Sequence, residues 1–143
     1  MSITAEYLPT ETEFRNPSDY VPELSRRARG IDIWAALRTL GRDGVEALVD
    51  RCCRHARRFA EGFQAAGYEV LNDVVLNQVL VSFGDAGKTR KVIDAIQQDG
   101  TSWCGITVWQ GHTAMRISVC NWSTTDDDVE LSLRVMTEIA DRY

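Results

Sequence analysis

Lysine is almost missing from this 143-residue sequence: Lys88 and Lys91 stand against 14 arginines. Chemistry that needs a primary-amine side chain is thereby confined to one short run, Gly87-Lys88-Thr89-Arg90-Lys91. Histidine is as scarce, at His55 and His112, and the four cysteines (Cys52, Cys53, Cys104, Cys120) contain no C-x-x-C pair. Ligands so scattered do not make a zinc site, and no metal is expected. Reduced thiols in a cytoplasmic protein are the simpler reading. No apolar run approaches the length of a membrane span. The first residues, MSITAEYLPTETEF, lack the basic-then-apolar order of a secretory signal. A formal charge of −5 removes the positive excess on which general nucleic-acid binding depends. G-x-S-x-G, H-E-x-x-H and a phosphate-binding glycine loop are absent as well.

Proline is confined to Pro9, Pro17 and Pro22, among polar residues such as Thr10, Glu11, Thr12 and Glu13. Fixed φ and missing donors predict an extended arm here rather than part of a packed layer. From Ile31 the pattern changes. Ile33, Trp34, Leu37 and Leu40 lie at helical spacing, and Gly41 and Gly44 bracket a break. From Gly44 to Gly67 the stripe Val45, Leu48, Val49, Cys52, Ala56, Phe59, Ala60, Phe63 predicts a long amphipathic helix. Its arginines Arg51, Arg54, Arg57 and Arg58 read as a solvated face.

Strands are expected over Tyr68 to Leu71 and Val74 to Phe83, a helix over Thr89 to Gln98, and two more strands over Thr107 to Trp109 and Met115 to Val119. In the last of these, Met115, Ile117 and Val119 face one way while Arg116, Ser118 and Cys120 face the other. A final helix opens at Thr124 or Thr125, with Asp126, Asp127 and Asp128 at the positive end of its dipole. The order predicts an α+β domain of two layers, helices on a short, mostly antiparallel sheet.

Three places carry candidate chemistry. Ser25-Arg26-Arg27-Ala28-Arg29-Gly30 is either a solvated basic linker or a set of guanidinium forks that hold an anion at a domain boundary. Arg116, inside an apolar strand, is either an edge-strand surface charge or a cleft residue presented to a carboxylate. Tyr7, in Ala5-Glu6-Tyr7-Leu8, is unremarkable by composition, although a phenol on a closing loop can deliver a proton. His112 reads as a hairpin-turn residue and the cysteines as core or half-buried residues.

These segments, in this order, resemble the C-terminal part of the group II pyridoxal-phosphate-dependent decarboxylases, the family of the aromatic-L-amino-acid and glutamate decarboxylases. Ala5-Glu6-Tyr7-Leu8 is similar to the family's catalytic loop. Ser25-Arg26-Arg27-Ala28-Arg29-Gly30, then Ile33-Trp34-Ala35-Ala36-Leu37-Arg38 and Gly41, is similar to the stretch that opens its small domain. Ala114-Met115-Arg116-Ile117-Ser118-Val119-Cys120-Asn121 is similar to its closing strand. The resemblance implies the C-terminal domain of the aspartate aminotransferase-type fold, with a catalytic-loop arm and linker over residues 1–30 and the small domain over 31–143. It implies that Tyr7 is the proton donor after carbon dioxide leaves, and that Arg116 holds a substrate or product carboxylate. Ser25 and Arg26 match a stretch near the cofactor and the dimer interface.

The sequence departs from the family at the cofactor anchor. The Schiff-base lysine of the family follows a histidine and precedes the loop tyrosine, whereas six residues precede Tyr7 and neither Lys88 nor Lys91 has a histidine beside it. Pyridoxal phosphate is therefore expected in the parent enzyme and not on this chain alone. The expected partners are a PLP-binding large domain, a second copy in a homodimer, and an amino-acid substrate, with no nucleic acid and no membrane. Two other readings stay open: the small domain of a related aminotransferase or lyase, and a non-catalytic interaction or small-ligand-binding module on the same fold.

Overall fold

The computed structural model describes residues 27–143. The chain divides into a first unit, Met1–Leu40, of which residues 27–40 are described, and a second, Gly41–Tyr143. The first helical stretch, α1, is assigned from Arg29 to Ala65, but Gly41 inside it has φ 63° and ψ −171°. That backbone is open to glycine and strained for any residue with a Cβ. The break expected between Gly41 and Gly44 falls at Gly41.

In the first unit, Arg27 pairs with Asp32 at 2.6 Å. Ile31, Ile33, Trp34, Leu37 and Leu40 are all exposed.

The second unit holds the sheet: β1 (Glu69–Val70), β2 (Gln78–Ser82), β3 (Gly105–Trp109) and β4 (His112–Ser118), with α2 (Ala86–Asp99) between β2 and β3 and α3 (Asp126–Ala140) last. The strand order is β1-β2-β4-β3, and every pairing is antiparallel. The strand expected over Val74 to Phe83 begins only at Gln78, because the chain turns where the Val75 N–H donates to the Asp73 carbonyl at 3.0 Å; the start of the strand is braced by the Asn72 side chain. Its amide donates to the Gln78 carbonyl at 3.1 Å and accepts from the Leu80 N–H at 2.8 Å. Val75 and Leu76 are left exposed.

β3 and β4 are joined by Gln110 and Gly111, with φ 49° and 85°. Two successive left-handed residues give the turn whose twist matches antiparallel strands. α2 is capped by Asp85, which accepts from the N–H groups of Gly87 and Lys88 at 2.7 and 2.9 Å. α3 opens on a reciprocal cap between Thr125 and Asp128.

One core joins the helices to one face of the sheet. Phe59 and Phe63 of α1, Val92, Ile93 and Ile96 of α2, and Val129, Leu133 and Met136 of α3 cluster with Val79, Val81, Met115 and Ile117. Phe63, Phe83 and Tyr68 meet edge to face. Gly62 lets α1 and α3 approach, since a Cβ there would collide with the Leu133 side chain. The two-layer α+β arrangement is the one expected.

The arginine face of α1 is a correction. Arg51 donates to the Trp122 carbonyl at 2.7 Å, and Arg58 forks onto both carboxylate oxygens of Glu130 at 2.6 and 2.8 Å. Arg54 lies 3.5 Å from Asp126. Arg54 and Arg57 are exposed as expected of all four; Arg51 and Arg58 are half-buried on partners about seventy positions away, which no local pattern reveals.

Candidate functional site

Strand alternation builds the candidate site on the sheet face opposite the helix-packed core. Register pairs Arg116 with Leu80 on β2 and with Gly105 on β3. Two residues along, Ala114 is paired with Thr107, and at the hairpin end His112 is paired with Trp109. The face carrying Arg116 thus holds Leu80, Gly105, Thr107 and Ala114, of which Leu80 and Ala114 are buried, and is bounded at one end by Trp109 and His112.

Arg116 is exposed, while its strand neighbours Met115 and Ile117 are buried in the core. This is the alternation read from the sequence. A Cβ on Gly105 would lie 3.8 Å from an Arg116 guanidinium nitrogen, so the side chain extends across the bare backbone of β3. Among the described residues no carboxylate is within ion-pair distance of Arg116. A guanidinium on this face with no internal counter-charge can accept an external carboxylate in bidentate fashion.

Tyr7, Ser25 and Arg26 lie outside the described residues.

Pyridoxal phosphate needs a lysine within reach of the substrate site. Lys88 and Lys91 are both on α2, whose buried residues pack on the face opposite Arg116. Lys88 also sits in the capped first turn. The described residues do not fit the cofactor. Burial pushes the Cys104 thiol up to about 11, so it is protonated at neutral pH; Cys52 and Cys53 are buried as expected, whereas Cys120 is exposed rather than half-buried. The described residues contain no group of three or more His, Cys, Asp or Glu side chains able to hold a metal, and no described helix is long and apolar enough to cross a membrane.

A polar pair escaped the sequence reading. His55, 2% exposed within the apolar stripe of α1, places its Nε2 2.9 Å from Asp126 Oδ1 at the start of α3. The hydrogen bond from His55, assisted by Arg54, holds the Asp126 carboxyl below the usual carboxylate range. A histidine inside an otherwise apolar stripe was the available signal; its partner, 71 residues away, was not.

No family model matches the chain. In sequence it is 28% identical over 153 aligned positions to L-2,4-diaminobutyrate decarboxylase of Rhizobium meliloti (strain 1021), covering 93% of this chain and 31% of that enzyme. It is 27% identical over 122 positions to aromatic-L-amino-acid decarboxylase of Drosophila lebanonensis, covering 82% of this chain and 30% of that one. In structure it superposes on Oryza sativa TDC, solved with PLP and tryptamine, with a TM-score of 0.75 at 17% identity, over 99% of this chain and 32% of the other. The architecture is that of a portion of the aminotransferase-type fold. The chain is similar, over nearly its whole length, to PLP-dependent amino-acid decarboxylases of group II, as its motifs suggested. It spans about a third of the length of the curated relatives it matches.

Proposed function

We propose that the chain is the C-terminal small domain of a PLP-dependent decarboxylase of L-amino acids, preceded by the arm that carries Tyr7. The observation that supports this best is the match of 93% of the chain to 31% of a diaminobutyrate decarboxylase. On this reading the cofactor is held by a separate PLP-binding large domain, and the assembled enzyme is a cytoplasmic homodimer. The chain's own residues bind and orient. Arg116 fixes a carboxylate of the amino acid, and fixing one end of a substrate restricts the orientation of the bond to be broken. Tyr7 hands a proton to the substrate Cα once carbon dioxide has left. Ser25 and Arg26 lie near the cofactor and the dimer interface. The arm covers residues 1–30 and the small domain 31–143.

Two measurements test the reading. Purified chain mixed with pyridoxal phosphate and L-amino acids is expected to release no carbon dioxide; steady release from the chain alone overturns it. In the assembled enzyme, Tyr7→Phe is expected to slow decarboxylation by about 100-fold, the usual weight of a positioned proton donor. An unimpaired variant removes Tyr7 from the mechanism and favours a related aminotransferase or lyase.

A further inference from the structure

A concavity begins at Ile117 and Ser118, next along β4 from Arg116, where the end of β4, the loop after α2 and the start of α3 meet. It encloses about 510 Å³, within the range of small-molecule sites. Its floor is apolar, formed by Phe59, Ile117, Val119 and Met136. Trp103 stands on its rim with 76% of its surface exposed, although large aromatics are usually at least half covered.

Two features select the chemistry of an occupant. The first is Ser102, whose Oγ is buried in the lining and has no hydrogen-bond partner. A buried hydroxyl left unpaired costs about 1–3 kcal/mol, and such groups are rare enough to need an explanation. The second is charge. Among the described residues, Asp128 is the sole charged side chain of the lining. One of its carboxylate oxygens is engaged by the Thr125 N–H and hydroxyl at 2.9 and 2.7 Å. No described lysine, arginine or histidine lines the cavity.

We infer that this cavity is a binding site for small organic ammonium ions with an apolar or aromatic body. The apolar floor takes the body, Ser102 accepts a hydrogen bond from the ammonium group once its now occluded hydroxyl turns toward the cavity, Asp128 supplies the counter-charge, and the face of Trp103 adds cation–π attraction. A carboxylate or phosphate would meet no cation and would be repelled by Asp128. The preference is thus opposite to that of the Arg116 face, and it does not depend on the decarboxylase reading.

The test is a titration of the purified chain, by calorimetry and by the shift of the Trp103 indole N–H resonance, with phenethylammonium, 3-phenylpropionate and L-phenylalanine. Phenethylammonium is expected to bind about ten-fold more tightly than either carboxylate-bearing probe, which is about 1.4 kcal/mol. Trp103→Ala, Ser102→Ala and Asp128→Asn should each weaken it several-fold, the asparagine keeping an oxygen for the α3 cap. Arg116→Gln should leave it unchanged. Equal binding of the amine and the acid, no saturable binding of the amine, or amine binding indifferent to all three lining variants overturns the inference.

Discussion

The two parts of α1, before and after Gly41, have similar apolar patterns and opposite burial. Before the break, Trp34 is 64% exposed and Leu37 53%; after it, Phe59 is 5% exposed and Phe63 0%. Helical periodicity therefore establishes a face in both parts, but not what covers it. Past Gly41 the face has the sheet and α3 to pack on. Before Gly41 it presents five large apolar side chains within ten residues, the kind of contiguous patch that marks a surface for another polypeptide.

Truncation distinguishes the two parts most sharply. Phe63→Ala removes a fully buried ring that touches Phe83 and Tyr68, and should destabilise the chain by about 3–5 kcal/mol. Leu37→Ala, by contrast, should stay within about 0.5 kcal/mol, as exposed positions do. Urea denaturation of both variants checks the contrast, and an equal cost at the two positions would abolish it.

A smaller effect is expected where α1 meets α3. Gly62→Ala places a methyl against the side chain of Leu133. Overpacking costs about 1–3 kcal/mol, and the better helix propensity of alanine returns about 1 kcal/mol. A net loss of about 1 kcal/mol in the same assay is the expected result; a gain would mean that Leu133 moves aside freely.

The clamp between His55 and Asp126 gives a pH dependence. The folded Asp126 carboxyl lies below its ordinary value of 3.8 because His55 donates to it. Its contribution is therefore present above that value and is lost as the pH falls through the lower folded value. The drop in thermal stability below pH 4 should be shallower in Asp126→Asn than in the parent chain. Identical profiles would show that the pair contributes no linkage.

Much of this was legible where the cause is local. The capped start of α3 follows from Thr125 and the aspartates after it, and the alternation over 115–119 sets Arg116 on the face opposite Met115, Ile117 and Val119. Where the cause is distant, the sequence was silent. The arginines of α1 read as solvated because Trp122, Asp126 and Glu130 come to them only in the fold. Val74 and Val75 read as strand because their apolar side chains hide the turn that the Val75 N–H closes on the Asp73 carbonyl. The candidate site was legible in one of its parts, Arg116, through its position in an apolar strand; Tyr7, Ser25 and Arg26 rest on motif resemblance.

The exposed stripe before Gly41 supplies the last and smallest effect on stability, and the one that bears most on function. If the stripe is a surface for another polypeptide, the purified chain should associate through it at high concentration, since apolar area removed from water favours association by about 25 cal/mol per Å². Leu37→Glu, which puts a charge in the middle of the stripe, should lower the weight-average mass measured by sedimentation equilibrium while leaving the urea midpoint nearly unchanged. Val108→Glu, on the exposed edge strand β3, is the matched control, because that edge also offers unpaired backbone groups to a neighbour. A fall in mass with Val108→Glu alone would move the surface from the helix to the sheet edge. A fall with Leu37→Glu alone would tie it to the residues that open the small domain in the proposed enzyme, where the PLP-binding domain is expected to sit.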